Sequence, residues 1–181
     1  EGALRIKRIV NDLKDFARRE EGAGRSLIDV ADAARKAMRL IDAAIRKATD
    51  HFTADYDPDL PLVWGHSQRV EQVVVNLVLN ACQALPDRSR AIAVTVGHDE
   101  AAGQVVLTVR DEGAGIVPEH LPHLTDPFFT TKRETGGTGL GLSVSAGILK
   151  ECGAVLTFAS TPGQGTTAVV VFPVAREEAN P

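Results

Sequence analysis

Between Val70 and Leu85 apolar residues recur with a helical period and wrap most of the helix they predict. Val70, Val73, Val74, Leu77, Ala81, Ala84 and Leu85 share one face, and Val75, Val78, Leu79 and Cys82 cover most of the rest. What remains is one polar row, Gln72, Asn76, Asn80 and Gln83, at spacings of four, four and three. Asn in a helix interior costs roughly 0.5 kcal/mol against Ala, and a buried unpaired amide costs about 1–3 kcal/mol more. The amides therefore either bridge the helix to the sheet, are bathed by structural water, or face a ligand.

The same reading along the rest of the chain predicts an α+β protein. Ile6, Ile9, Leu13 and Phe16 form an apolar seam on a long amphipathic helix over residues 1–20. Glu20 to Gly24, EEGAG, breaks it, so residues 21–26 read as a linker, 27–175 as the main domain and 176–181 as a tail. Arg25 to Ile28 predicts a short strand, and Asp29 a cap for a helix from Val30 to about Ile45 with Ala33, Ala37, Leu40, Ile41 and Ala44 inward. Thr49 to Tyr56 predicts a strand, Val63-Trp64 a short extended piece, Ser67 the cap of the asparagine helix, and Pro86 its stop. Ala91 to Val96 and Gln104 to Arg110 predict an antiparallel pair. Asp111 to Gly137 reads as loop, with a turn at Pro118 to Leu121; a loop this long inside a compact domain is usually functional. Thr138 is expected to cap a helix of Gly139 to Glu151, before a hairpin of Val155 to Ala159 and Thr166 to Phe172. Helices and strands intersperse without regular βαβ alternation, which predicts a two-layer sandwich.

Composition narrows the function. A hydrophobic content of 44% over 181 residues supports a proper core, and a net charge of −4 with mixed signs gives no basic field for nucleic acid. Cys82 and Cys152 lie in apolar helical settings, as buried free thiols do in a reducing compartment. No apolar run reaches the roughly 18 residues of a membrane span, so the expectation is a soluble, cytoplasmic piece.

Two glycine clusters carry the candidate chemistry. Asp111 follows a strand and precedes Gly113, Gly115 and Ile116, in DEGAGI. A carboxylate there, beside glycines that admit a close approach, suits a ring bearing an exocyclic amine such as adenine; the alternative is a turn whose Asp bonds its own backbone. Gly137, Thr138, Gly139, Leu140 and Gly141 stand at a helix mouth, where free N–H groups attract phosphate and glycines also serve as hinges. The run lacks the Lys-Ser/Thr ending of a Walker loop and is not a GxGxxG dinucleotide fingerprint. Lys132, in DPFFTTK, offers a point charge for a terminal phosphate, and the adjacent Phe128 and Phe129 are expected to dock the loop on an apolar patch.

In this order, an asparagine pair on a helix, DxGxG, FFTTK, GGTGLGL and GxGT, the chain resembles the catalytic ATP-binding domain of two-component sensor histidine kinases, within the superfamily of gyrase B, heat-shock chaperone and mismatch-repair ATPases. The resemblance covers about Leu27 to Val174. It implies a Bergerat-type fold, a mixed, mostly antiparallel sheet with three helices on one face. It implies ATP and Mg²⁺ as cofactors: Asn80 as metal ligand, Asn76 beside the phosphates, Asp111 on the adenine amine with Gly113 and Gly115 shaping its floor, and Gln83 and Ile116 among the nucleotide-binding residues. Lys132, Gly137, Thr138, Gly139, Leu140 and Gly141 would be the phosphate-side lid, and Thr166, after Gly165, would complete the adenine contact through water. Where gyrase and chaperones carry a general-base glutamate this sequence has Asn76, which cannot accept a proton near neutral pH and disfavours hydrolysis.

The resemblance further implies that residues 1–20 match the second helix of a dimerisation and phosphotransfer hairpin in a homodimeric protein. The phosphoacceptor histidine lies outside this stretch, because His51, His66, His98, His120 and His123 all lack its context. His120 and His123 are expected to be exposed loop histidines, not metal ligands. The implied partners are that hairpin and a response-regulator receiver domain. A serine kinase or ATPase of the same superfamily, and a non-catalytic nucleotide-gated module, remain the competing readings.

Overall fold

The computed structural model describes residues 25–131 and 137–175, so the helix expected over residues 1–20, Lys132 and the tail lie outside the described residues. A five-stranded sheet has the order β2-β4-β5-β7-β6, from β2 (His51–Tyr56), β4 (Ala91–Asp99), β5 (Gln104–Asp111), β6 (Val155–Thr161) and β7 (Gly165–Pro173). β2 runs parallel to β4 and every other pairing is antiparallel. A separate ribbon pairs β1 (Ser26–Ile28) with β3 (Val63–Gly65). Helices α1 (Val30–Ala48), α2 (Ser67–Ala84) and α3 (Gly141–Glu151) form the second layer, with α2 packed between α1 and α3.

Alternation sets which residues meet between the layers. Along β5, Val105, Leu107, Val109 and Asp111 are buried, so the carboxylate takes the next place in an apolar inward row. Across the sheet, Leu107 stands beside Val170 and Leu156's partner is again Val170; Val109 stands beside Ala168, which pairs with Phe158. The last rung, Asp111, Thr166 and Ser160, is polar. The helices answer with Val70, Val73, Val74, Leu77 and Val78 of α2, Ala33, Ala34 and Ala37 of α1, and Ile148 and Leu149 of α3.

Several expectations are corrected. Asp29 does cap α1, accepting from Ala31 N and Asp32 N at 2.8 and 3.1 Å, but the helix continues to Ala48, with a kink at Ile41. Leu40 faces solvent, 77% exposed, because the inward seam runs through Ala33, Ala37, Ile41 and Ile45 at spacings of four and leaves Leu40 off to its side. His66, not Ser67, is the N-cap of α2; Ser67 is already helical and its hydroxyl donates to Glu71 instead. Leu85 leaves the helix with ψ 132°, the extended conformation that the following Pro86 requires. Thr138 does not cap α3, which starts at Gly141; its hydroxyl accepts from Leu140 N, and Leu140, two residues later, is the N-cap. Inside the long connection, Pro118–His123 forms a 3-10 helix, longer than the turn expected.

Candidate functional site

A cavity of about 270 Å³ opens between the polar end of the sheet and α2, close to the lower end of the roughly 300–1,000 Å³ range of ligand pockets. Its walls are Leu77, Ala81 and Ala84 of α2, Leu142 of α3, and Val109, Phe158 and Ala168 of the sheet. Asn80, Gln83, Asp111, Thr131 and Thr166 supply its polar groups, and Gly115 and Ile116 close it from the loop. Six positions singled out in the sequence, Asn80, Gln83, Asp111, Gly115, Ile116 and Thr166, thus converge on one space from three elements and a loop.

Asp111 is 6% exposed, yet its Oδ1 accepts from Gly113 N at 2.8 Å and from Thr166 N at 3.3 Å. The turn reading of DEGAG is therefore correct for one oxygen, and the residue still lines the cavity. Gly113 is held against α2: a Cβ there would lie 2.7 Å from the Ala84 carbonyl oxygen, which accepts from Ala114 N at 2.9 Å. Gly115, at φ 70°, presses on the backbone of Thr161. These contacts clamp the loop between the end of α2 and the β6–β7 turn, where Gly163 N donates to the Ala114 carbonyl at 2.7 Å. A rigid clamp of this kind holds an acid and apolar walls in place before any ligand arrives.

The two asparagines part company. Asn80 lines the cavity. Asn76, one turn earlier, donates from Nδ2 to the Gly141 carbonyl at 3.1 Å and to Ser145 Oγ at 3.2 Å, so it joins α2 to the first turn of α3. Gln83 lies at the exposed end of the same row, on the cavity rim.

At the mouth of α3, Gly139 sits at φ 70° against the backbone of Phe128, and its carbonyl accepts from Phe128 N at 3.0 Å. The FF segment and the helix mouth are thus one backbone-linked unit, with Gly137, Thr138 and Leu140 beside it; of these only Leu140 is buried. The phenylalanines do not dock together. Phe128, itself at φ 66°, is 57% exposed, and Phe129 turns back onto His120 and His123, with ring centroids 5.4 and 5.8 Å away. His123 Nδ1 bonds Asp126 at 2.8 Å, and among the described residues no cluster of side chains is set to hold a metal. None of the five histidines lines the cavity.

The sequence reading missed Ser160, Phe158, Leu142 and Thr131. Ser160 and Phe158 carried a signal: they share strand parity with Leu156, which places them on the inward face. Leu142 was hidden inside the glycine run, where only the true start of α3 shows that it turns inward.

Over residues 65–176 the chain matches the family model described as histidine kinase-, DNA gyrase B-, and HSP90-like ATPase. It is 37% identical over 178 residues to a putative sensor protein of Shewanella frigidimarina, a match covering 98% of this chain and 27% of that protein. It is 34% identical to the sensor histidine kinase YkoH of Bacillus subtilis, covering 94% of this chain and 37% of that one. The chain thus spans roughly a quarter to a third of the length of these relatives. Among solved structures it is similar to the catalytic domain of the histidine kinase ThkA, with TM-score 0.72 and 26% identity over 84% of this chain and 97% of that one.

Proposed function

This chain belongs to the family of histidine kinase-, DNA gyrase B- and HSP90-like ATPases, and from that membership we propose that it is the ATP-binding catalytic domain of a sensor histidine kinase, which hands the γ-phosphate to a histidine on a helical hairpin for relay to a response-regulator aspartate. The observation that carries the reading is Asp111, a buried carboxylate fixed by two backbone N–H groups at the polar end of an apolar, base-sized cavity. An ionised acceptor there selects a ring with an exocyclic amine and repels one with a carbonyl at that corner. Adenine fits and guanine does not.

Asn80 would give one amide oxygen to Mg²⁺, whose remaining ligands are phosphate oxygens and water; a hard cation of this kind uses few protein ligands when it arrives with a triphosphate. Gly137, Thr138, Gly139, Leu140 and Gly141 at the mouth of α3 would cover the phosphates, with Lys132 as a point charge. Asn76 supports transfer over hydrolysis, because an amide committed to Gly141 and Ser145 neither accepts a proton nor activates water. The chemistry then rests on positioning and charge neutralisation, with the hairpin histidine as nucleophile. Residues 1–20 would be part of that hairpin, in a homodimer.

The chain incubated with Mg²⁺ and γ-labelled ATP should bind nucleotide without acquiring label, and should label a histidine-bearing hairpin of a related kinase with an acid-labile phosphate. Rapid steady-state ATP hydrolysis without the hairpin would favour an ATPase instead. Binding with no transfer to any hairpin would leave a nucleotide-gated module.

A further inference from the structure

Ser160 is the outer member of the rung that Asp111 and Thr166 share, and its hydroxyl ties together three neighbours of the cavity's polar end. Its Oγ accepts from Ile116 N at 2.8 Å, donates to the Gly165 carbonyl at 2.9 Å and lies 2.9 Å from Thr166 Oγ1. A serine hydroxyl owns one proton and two acceptor lone pairs. One lone pair takes the Ile116 N–H and the proton goes to Gly165, so only the second lone pair is left for Thr166. Thr166 must then be the donor in that pair.

The consequence falls on the cavity, which Thr166 lines and Ser160 does not. With its own proton spent on Ser160, the Thr166 hydroxyl presents only lone pairs to a ligand. Asp111, its register partner across β5 and β7, already accepts and cannot donate when ionised. The two polar groups at this end of the cavity are thereby set to the same polarity.

We propose that Ser160 is a positioning residue which locks Thr166 as an acceptor, so that Asp111 and Thr166 both turn acceptors toward the 6-substituent of a purine, pairing with an amine there and repelling a 6-oxo oxygen twice. The inference rests on the adenine reading given above. Gly165 supplies the rigidity: at φ 91°, with its α-carbon against the Asp111 carbonyl, it fixes the acceptor that takes the Ser160 proton.

The test is equilibrium binding of ATP and ITP to the whole chain, wild type against Ser160→Ala. Losing Ser160 frees the Thr166 hydroxyl to turn and donate, so the preference for ATP over ITP should fall by about fivefold, the usual effect of one neutral hydrogen bond. Some preference should survive through Asp111. Ser160→Thr keeps the hydroxyl and should restore the wild-type ratio. In a Thr166→Val background the Ser160→Ala change should leave the ratio untouched. Equal weakening of both nucleotides by Ser160→Ala would overturn the proposal, since it would make Ser160 a merely structural residue. If Ser160→Ala does not fold, Thr166→Val decides alone: an unchanged ratio overturns the proposal and a lowered one supports it. A wild-type chain that binds ATP and ITP equally would instead defeat the adenine reading itself.

Discussion

Asn76 on α2 and Gly141 at the start of α3 are joined by a hydrogen bond of 3.1 Å from the amide to the carbonyl, and Ser145 closes a triangle by donating to the same carbonyl at 2.9 Å. The bond fixes where the glycine-lined helix mouth stands relative to the cavity. Asn76→Ala should therefore lower stability by about 1–2 kcal/mol in urea denaturation. Asn76→Asp should cost more, because a carboxylate would face a carbonyl with no proton between them. Asn80→Ala, which removes a cavity-lining amide, should change stability by less than about 0.5 kcal/mol while removing the Mg²⁺-dependent part of ATP affinity.

This pair also shows what the sequence could and could not reveal. The row Gln72, Asn76, Asn80 and Gln83 was legible from periodicity, but its two asparagines diverge: Asn76 bridges to a helix rather than to the sheet, and Asn80 lines a cavity. Which does which depends on where α3 crosses α2, and no local pattern encodes that. Strand pairing was similarly legible for β4–β5 and β6–β7, where short turns dictate antiparallel neighbours. The parallel placement of β2 beside β4 was implied only by the mixed sheet of the resembled family, since α2 intervenes between the two strands. Helix starts at Ser67 and Thr138 were misread because a hydroxyl near a helix is a cap only if its backbone stays extended. Ser67 had already turned helical, and Leu140 rather than Thr138 stands at the boundary.

Gly163 and Gly165 lie in the same turn at φ 77° and 91°, but only one has room for a side chain. A Cβ on Gly163 meets nothing within 4 Å, so Gly163→Ala should cost only the left-handed backbone penalty of about 1–2 kcal/mol. A Cβ on Gly165 would overlap the Asp111 carbonyl oxygen. Gly165→Ala should lower stability by about 3 kcal/mol or more and weaken ATP binding beyond what the stability loss explains, since relief of the overlap displaces Asp111. Thermal melts paired with ATP titrations of the two variants provide the comparison.

Burial pushes the thiols of Cys82 and Cys152 up from their ordinary value, more than nearby charges or hydrogen bonds pull them down. The folded protein therefore holds these protons at a pH where the unfolded chain, with thiols titrating near about 8.5, has released them. The contribution to stability is complete below that value and is lost as pH climbs through the raised folded values. Denaturation midpoints should fall above about pH 8.5, and less so in a Cys82→Ala, Cys152→Ala double variant. At pH 8 the buried Cys152 should resist alkylation until the protein is unfolded.

Asp111 holds two backbone N–H groups on one oxygen, and this dictates what an amide would do in its place. In Asp111→Asn the carbonyl oxygen must stay on Gly113 and Thr166, which leaves the NH₂ as the other end of the group, a donor where the acid accepts. At a hundred times Kd a ligand adds about 2.7 kcal/mol to the folded state. For a chain of this size each kcal/mol moves the midpoint by about 2–4 °C, so saturating Mg-ATP should raise the wild-type Tm by about 5–10 °C. GTP at the same concentration should raise it far less. Asp111→Asn should lose most of the ATP shift without losing the fold, and should close the gap between ATP and GTP from both sides. An Asp111→Asn variant that keeps the full ATP shift would show that the carboxylate does not meet the base.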